Sequence, residues 1–405
     1  MLRDDARSIF DHALSAVDPR TAIKQAVKDL SIPDHAIYSI AIGKAATSMA
    51  LGLDDALGEK LSAGVIVATS QHNSKRWQSF IGGHPLPNEA SLASARAAFA
   101  LLDRADAEQA IVIFLISGGG SAMMEWPVSD EISLRDLRAA NQDLISCGAS
   151  ITEVNSVRRA FSAVKGGGLA RRSPHAQMFT LIVSDTNPGD EASVASGPTL
   201  SAPPDTPNAI EVIEHYNLDT VLPESIIKAV GSTNRAHDPV NGAHTVLLAN
   251  QTAINAAQTK AIELGFACSV LDHLNEQPIQ AGCDLLLASS SCSVSGGEFS
   301  CPVRGDGRGG RNLETALRCA IGLDNQTSHT VVLSAGTDGI DGNSPAAGAI
   351  ADETTISRAR ALNLDAEQYL ARSDSYTFFH QLNDVIVTGP TGTNVRDLRI
   401  VLKSV

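Results

Sequence analysis

The chain has 405 residues, 43% of them hydrophobic and 4% aromatic, with a formal net charge of −14. That length exceeds one ordinary core, so two domains of comparable size are expected. The acidity argues against a nucleic-acid or anionic-membrane partner, since either selects a basic face, and an anionic ligand would need positive charge focused locally.

The first stretch, MLRDDARSIFDHALSAVD, is an acidic amphipathic helix and not a signal peptide. Strands are then predicted at 38–42, 64–68, 111–116, 178–183, 244–249, 329–333 and 384–387. Amphipathic helices are predicted at 44–57, 89–103, 134–147, 151–164, 251–264 and 312–321. Their alternation points to a parallel α/β architecture. Periodicity does not decide between helix and strand for 280–290. The zone GSTNRAHDPVNG (231–242) is the expected boundary, dividing the chain into 1–238 and 239–405. No apolar run approaches the ~20 residues of a membrane span, so a soluble, cytoplasmic protein is expected. The six cysteines form no Cys-x-x-Cys pair and are expected to be free thiols.

Most predicted strands end in a glycine-rich or acidic turn, the place where open α/β sheets bind ligands. Gly43-Lys44 puts a cation at a strand end. Ser117-Gly118-Gly119-Gly120-Ser121 suits a backbone nest for phosphate oxygens, or a tight turn alone. Asp185 comes directly after the next buried strand and is a candidate base, whereas Asp190 and Glu191 could equally cap the next segment. The segment SGGEFSCPVRGDGRGGRNLE (295–314) is shaped for a close ligand by its glycines, and its arginines suit an anion. Glu298, Asp338 and Asp341 could supply the one or two carboxylates that Mg²⁺ takes, and the DGIDG turn could equally be an Asx-turn without metal. The loop TGPTGTN (388–394) could contact a nucleotide or a neighbouring loop. Gly305 to Gly310 matches GxGxxG formally, but no ribose acid lies near Thr330, and its charged interior with Arg311 suits an oxyanion clamp better, so the match is accidental.

Ten blocks carry a resemblance, in order: IGKAATSMA (42–50), GGHPLPNEAS (82–91), LISGGGSAM (115–123), KGGGLAR (165–171), IVSD (182–185), ASGPT (195–199), SGGE (295–298), GRGGRN (307–312), SAGTDGIDG (334–342) and TGPTGTNV (388–395). The chain resembles the class II glycerate kinases, also called the tartrate-operon "hydroxypyruvate reductase" family. The resemblance implies a Rossmann-like N-terminal α/β/α sandwich, a smaller C-terminal α/β domain and an active site in the cleft between them. It implies ATP-dependent phosphorylation of D-glycerate, usually to 2-phosphoglycerate, with Mg²⁺. The family's functional lysine maps to Lys44, its strand-end aspartate to Asp185 and its glycine-flanked arginine to Arg311. These three are the expected catalytic residues. Residues 117–121 would hold ATP, Lys44, Arg308, Arg311 and Asn312 the glycerate, and Glu298 and Asp338 the metal. Oligomeric state is open, with a homodimer as the candidate. An NAD(P)-dependent hydroxypyruvate reductase is the alternative reading, although no dinucleotide fingerprint is legible. Three positions depart from the family pattern: the three-residue gap between Asp185 and Gly189, Phe299 in place of a hydroxyl residue, and Leu313 in place of Gln.

Overall fold

A computed structural model describes every residue except 31, 32, 34, 233–239, 241, 290 and 405. The chain forms two compact units, Pro19–Leu247 and Met1–Asp18 together with Leu248–Val405. The boundary expected at 238/239 lies outside the described residues. The division differs from the expected one at the N-terminus. The helix Leu2–Ala16 is amphipathic as predicted, but its apolar stripe of Ala6, Ile9, Phe10 and Ala13 packs into the C-terminal unit's core beside Val294, Leu333 and Ile400. Among the described residues no helix is long and apolar enough to cross a membrane, and all six cysteines are free.

Pro19–Leu247 is built on a six-stranded sheet of β1 (Ile37–Ile42), β2 (Leu61–Ala68), β3 (Trp77–Ile81), β4 (Ile111–Ser117), β5 (Gln177–Val183) and β6 (Ala243–Leu248), in the order β3-β2-β1-β4-β5-β6. The pairs β1–β2, β1–β4, β2–β3 and β4–β5 are parallel. The central strands are continuous apolar runs because both their faces are buried. Edge strand β3 was not predicted, since only Trp77 of its five residues is buried. β6 was expected to open the C-terminal domain and instead closes this sheet. A separate apolar cluster joins the helices Leu134–Ser146, Ile151–Phe161, Ala209–His215 and Glu224–Ser232 through Leu144, Val157, Ile213 and Ile226.

The other unit carries β7 (Cys268–Val270), β8 (Cys292–Gly296), β9 (Thr330–Gly336), β10 (Gly348–Asp352), β11 (Val385–Ile386) and β12 (Asp397–Lys403), in the order β11-β10-β9-β12-β8-β7. Parallel architecture does not extend here. The pairs β10–β11, β10–β9, β12–β9 and β12–β8 are antiparallel, and β7–β8 is parallel. β9 runs three residues beyond its predicted end, so Ser334, Ala335 and Gly336 are strand and the turn begins at Thr337. The ambiguous stretch after 279 is the helix Ile279–Ala288.

Candidate active site

In Pro19–Leu247 the strand order reverses between β1 and β4, and open parallel sheets bind ligands beyond the carboxyl ends at that point. Lys44 leaves β1, Ser117 ends β4 and Asp185 lies just past β5, so adjacent strands deliver all three at one edge. The turns are stitched together. The Lys44 N–H donates to Gly118 O at 2.9 Å, the Ala45 N–H to Ser117 Oγ at 3.0 Å, and Ser117 Oγ donates to Ile42 O at 3.1 Å. The Ser117 hydroxyl is therefore engaged inside the protein.

Gly118 and Gly119 permit close approach. A Cβ on Gly118 would lie 1.7 Å from Asp185 Oδ2, so the carboxylate rests directly on that glycine. Gly119, at φ +78°, precedes the short helix Gly120–Met123, and a Cβ there would lie 3.1 Å from Lys44 Cγ and 3.6 Å from His84 Cε1. Lys44, Asp185 and His84 thus surround the glycine pair. Gly118→Ala must displace Asp185, and a misplacement of about 1 Å costs about 10²-fold in kcat. Steady-state kinetics beside a thermal melt check this: a large kcat loss with an unchanged melt is expected.

Behind the nest, the Ser121 and Ser196 hydroxyls hydrogen-bond, and Ser196 Oγ donates to Asn155 Oδ1 at 2.8 Å. Arg159 Nη2 donates to Ala192 O at 2.7 Å, bracing the same segment. Lys165 and Glu125, both 1% exposed, form a buried ion pair that Ser162 joins. Burial pushes the Lys165 amine down, and Glu125 opposes that shift. Asp190 precedes the short helix Glu191–Ser196 and accepts from Ser193 Oγ at 2.6 Å, without a side-chain cap to that helix's N–H groups.

In the other unit, Gly310 leads into the helix Arg311–Leu323. Arg311 Nε donates to Asp397 Oδ2 at 2.5 Å, and Nη2 donates to Asp397 Oδ1 at 3.3 Å and Glu298 Oε1 at 2.5 Å. Asn312 Nδ2 donates to Asp397 Oδ1 at 2.9 Å, and Ser334 Oγ donates to Asn312 Oδ1 at 2.7 Å. Arg311 and Asn312 thus share the Asp397 carboxylate. Arg308 goes elsewhere: its guanidinium stacks on Tyr376, 4.7 Å from the ring centroid, and its N–H donates to Asp374. Phe299 is buried in the core and carries the Arg399 guanidinium 3.8 Å from its centroid, which explains an apolar residue there. Leu313 is likewise buried in the core.

Asp341 accepts the Asn312 and Leu313 N–H groups at 3.1 and 2.8 Å, neutralising the helix start. Burial pushes its carboxyl up to about 7 from 3.8, with Asp397 adding to the rise while the Leu313 and Asn312 N–H groups and Arg311 oppose it. Between about pH 4 and 7 the folded chain therefore holds a proton that the unfolded chain has released, and this group's contribution to stability falls as pH rises through that window. Asp341→Asn is expected to flatten that slope, as read from urea midpoints measured across the window.

Asp338 Oδ1 accepts the Ile340 N–H at 3.2 Å, an Asx-turn. A Cβ on Gly336 would meet Asp338 Oδ1 at 3.2 Å and Asp397 Oδ1 at 3.5 Å, so the two carboxylates are neighbours. Among the described residues no group of three or more His, Cys, Asp or Glu side chains is arranged to hold a metal ion. Glu298, Asp341 and Asp397 nevertheless gather around Arg311, and Asp338 neighbours Asp397. The 388–394 loop braces its neighbour, with Thr391 Oγ1 donating to Thr337 O at 2.6 Å.

A domain of unknown function (DUF4147) matches residues 5–231, which include Lys44, the 117–121 nest and Asp185. The MOFRL family matches residues 291–397, from before Glu298 to Asp397. The chain is 35% identical to the D-glycerate 2-kinase of Thermotoga maritima, over 99% of this chain and 98% of that one. It is 32% identical to the glycerate 2-kinase of Pyrococcus horikoshii, over 99% and 97%. The chain belongs to the glycerate kinase family. The crystal structure of the Thermotoga maritima glycerate kinase superposes with a TM-score of 0.87 at 32% identity, covering 100% of this chain and 99% of that one. An Agrobacterium vitis relative, 34% identical over 99% of this chain and 94% of that one, is named a hydroxypyruvate reductase only provisionally. Within this glycerate kinase chain, sequence reasoning missed His84 beside the glycine pair, the Glu125–Lys165 ion pair of the same unit, and, in the other unit, Asp397 beside Arg311. His84 and Lys165 lie inside blocks that carried the resemblance, and Asp397 lies two residues beyond one.

Proposed function

We propose that this chain phosphorylates D-glycerate with ATP to give 2-phosphoglycerate. The observation that carries the reading is the gathering of Lys44 and Asp185 around Gly118-Gly119 at the sheet's switch point. The 321456-type strand order also serves dinucleotide folds, but there the first βα turn carries a glycine fingerprint. Here that turn reads Gly43-Lys44-Ala45-Ala46, with Ala45 in place of the second glycine and a cation just before it.

Phosphoryl transfer requires positioning and charge neutralisation more than covalent help. In this proposal the N–H groups of the 118–121 turn and Lys44 hold phosphate oxygens of ATP. Asp185 orients the glycerate 2-hydroxyl and takes its proton as the oxygen attacks the γ-phosphorus and the bond to ADP breaks. Arg311 binds anionic oxygens of the reactants, whereas the buried Asn312 amide is engaged inside the protein by Asp341 and Asp397. The residues fit a phosphate-bound Mg²⁺ better than a protein-only metal centre. Glu298 and Asp338 would each offer a carboxylate, and the acidic side chains gathered near Arg311 favour a cation. When bound, that ion supplies neutralisation of the phosphate charge. The substrate is a small anion, and the reaction is placed in the cytoplasm.

Glycerate-dependent release of ADP from ATP tests the reading. Turnover requiring D-glycerate is the expected result. Oxidation of NAD(P)H with hydroxypyruvate, without any ADP release, would overturn it.

A further inference from the structure

Asp397 opens β12 and is 2% exposed. Its backbone cannot drift: it is registered against Gly336 of β9, and Asn250 Nδ2 donates to its carbonyl at 3.0 Å. Among the described residues its carboxylate takes only side-chain donors from the first two residues of the helix Arg311–Leu323, because Asp341 already accepts that helix's Asn312 and Leu313 N–H groups. Capping therefore does not explain Asp397. What it does is grip the Nε–Nη2 edge of Arg311 in bidentate fashion, the arrangement that fixes a guanidinium plane. Glu298 takes the second Nη2 position. Among the described residues Nη1 makes no hydrogen bond, and the Arg311 side chain remains 34% exposed. Two places along the same face of β12, Arg399 donates to the Gly296 and Gly297 carbonyls and to Ser295 Oγ, fixing the backbone that leads into Glu298.

We propose that Asp397 is a positioning residue: it locks the guanidinium plane of Arg311 so that Nη1 is left for an anionic oxygen of the reactants. The inference rests on the kinase reading, in which Arg311 meets those oxygens. Asp397 itself touches no substrate and acts through Arg311.

The test is a double-mutant cycle in the glycerate-dependent ADP assay, with thermal melts alongside. Asp397→Asn is expected to lower kcat about 10²-fold, with the KM for ATP changed less than about threefold. In the Arg311→Ala background the same substitution is expected to change kcat less than about twofold, because residues acting as a unit are non-additive. Asp397→Glu keeps the charge and displaces the carboxylate, and its kcat should fall as well. Near-wild-type kcat in both single variants would overturn the proposal. So would a full, additive loss when Asp397→Asn is placed on Arg311→Ala, since that marks a role independent of Arg311. Wild-type turnover in the same plate separates these outcomes from failure of the kinase reading, which would leave no glycerate-dependent ADP at all.

Discussion

Arg311→Ala is expected to lower kcat by about 10³-fold, since a guanidinium neutralising phosphoryl charge is worth that order or more. The expectation comes from where the side chain sits. Its Nε–Nη2 edge is held by Asp397 and Glu298, and the combined carboxylates hold its charge firmly, raising its pKa above the ordinary guanidinium range against the opposing effect of burial. A residue placed for stability alone would gain nothing from an exposed Nη1 that makes no hydrogen bond among the described residues. Removing it also leaves the buried Asp397 without its cation, so the melting temperature should fall while the chain still folds. Arg311→Lys separates the two effects. The charge returns and the melt recovers in part, but kcat stays low because an ammonium cannot reproduce the fork. A kcat within tenfold of wild type in both variants would sink the assignment.

Asp185→Asn is the second large effect. A positioned base contributes about 10²- to 10⁴-fold, so kcat should fall within that range while the KM values for glycerate and ATP change little. The amide keeps the size of the carboxylate that rests on Gly118, so the nest should survive and the melt should scarcely move. A variant that retains most of its kcat, or loses it only through a raised KM for ATP, would make Asp185 a nucleotide contact instead of a base.

Much of the first sheet was legible because its strands are apolar runs closed by conspicuous turns. Ile111–Ser117 with three glycines after it is the clearest example. Because adjacent parallel strands end on one edge, predicting β1, β4 and β5 was enough to place Lys44, Ser117 and Asp185 together. The second sheet hid itself. β10 is built from small residues of weak strand propensity, Gly-Ala-Ile-Ala-Asp, and β12 interrupts its apolar run with Asp397 and Arg399. Those two charges mark the strand as exposed in a one-dimensional reading, yet both are buried on partners distant in sequence. The same reason explains why the arginines of 295–314 could not be ranked from sequence. Arg304 pairs with Glu314, Arg308 with Tyr376 and Arg311 with Asp397, and only the fold reveals which partner each one finds. Phe299 looked like the loss of a functional hydroxyl and is in fact core.

The most direct measurement couples the reaction to enolase with no phosphoglycerate mutase present, starting from ATP, Mg²⁺ and D-glycerate. Enolase consumes 2-phosphoglycerate only, so immediate formation of phosphoenolpyruvate in step with ADP is the predicted result. ADP release with no phosphoenolpyruvate would contradict transfer to the 2-hydroxyl, and no ADP release at all would contradict the kinase.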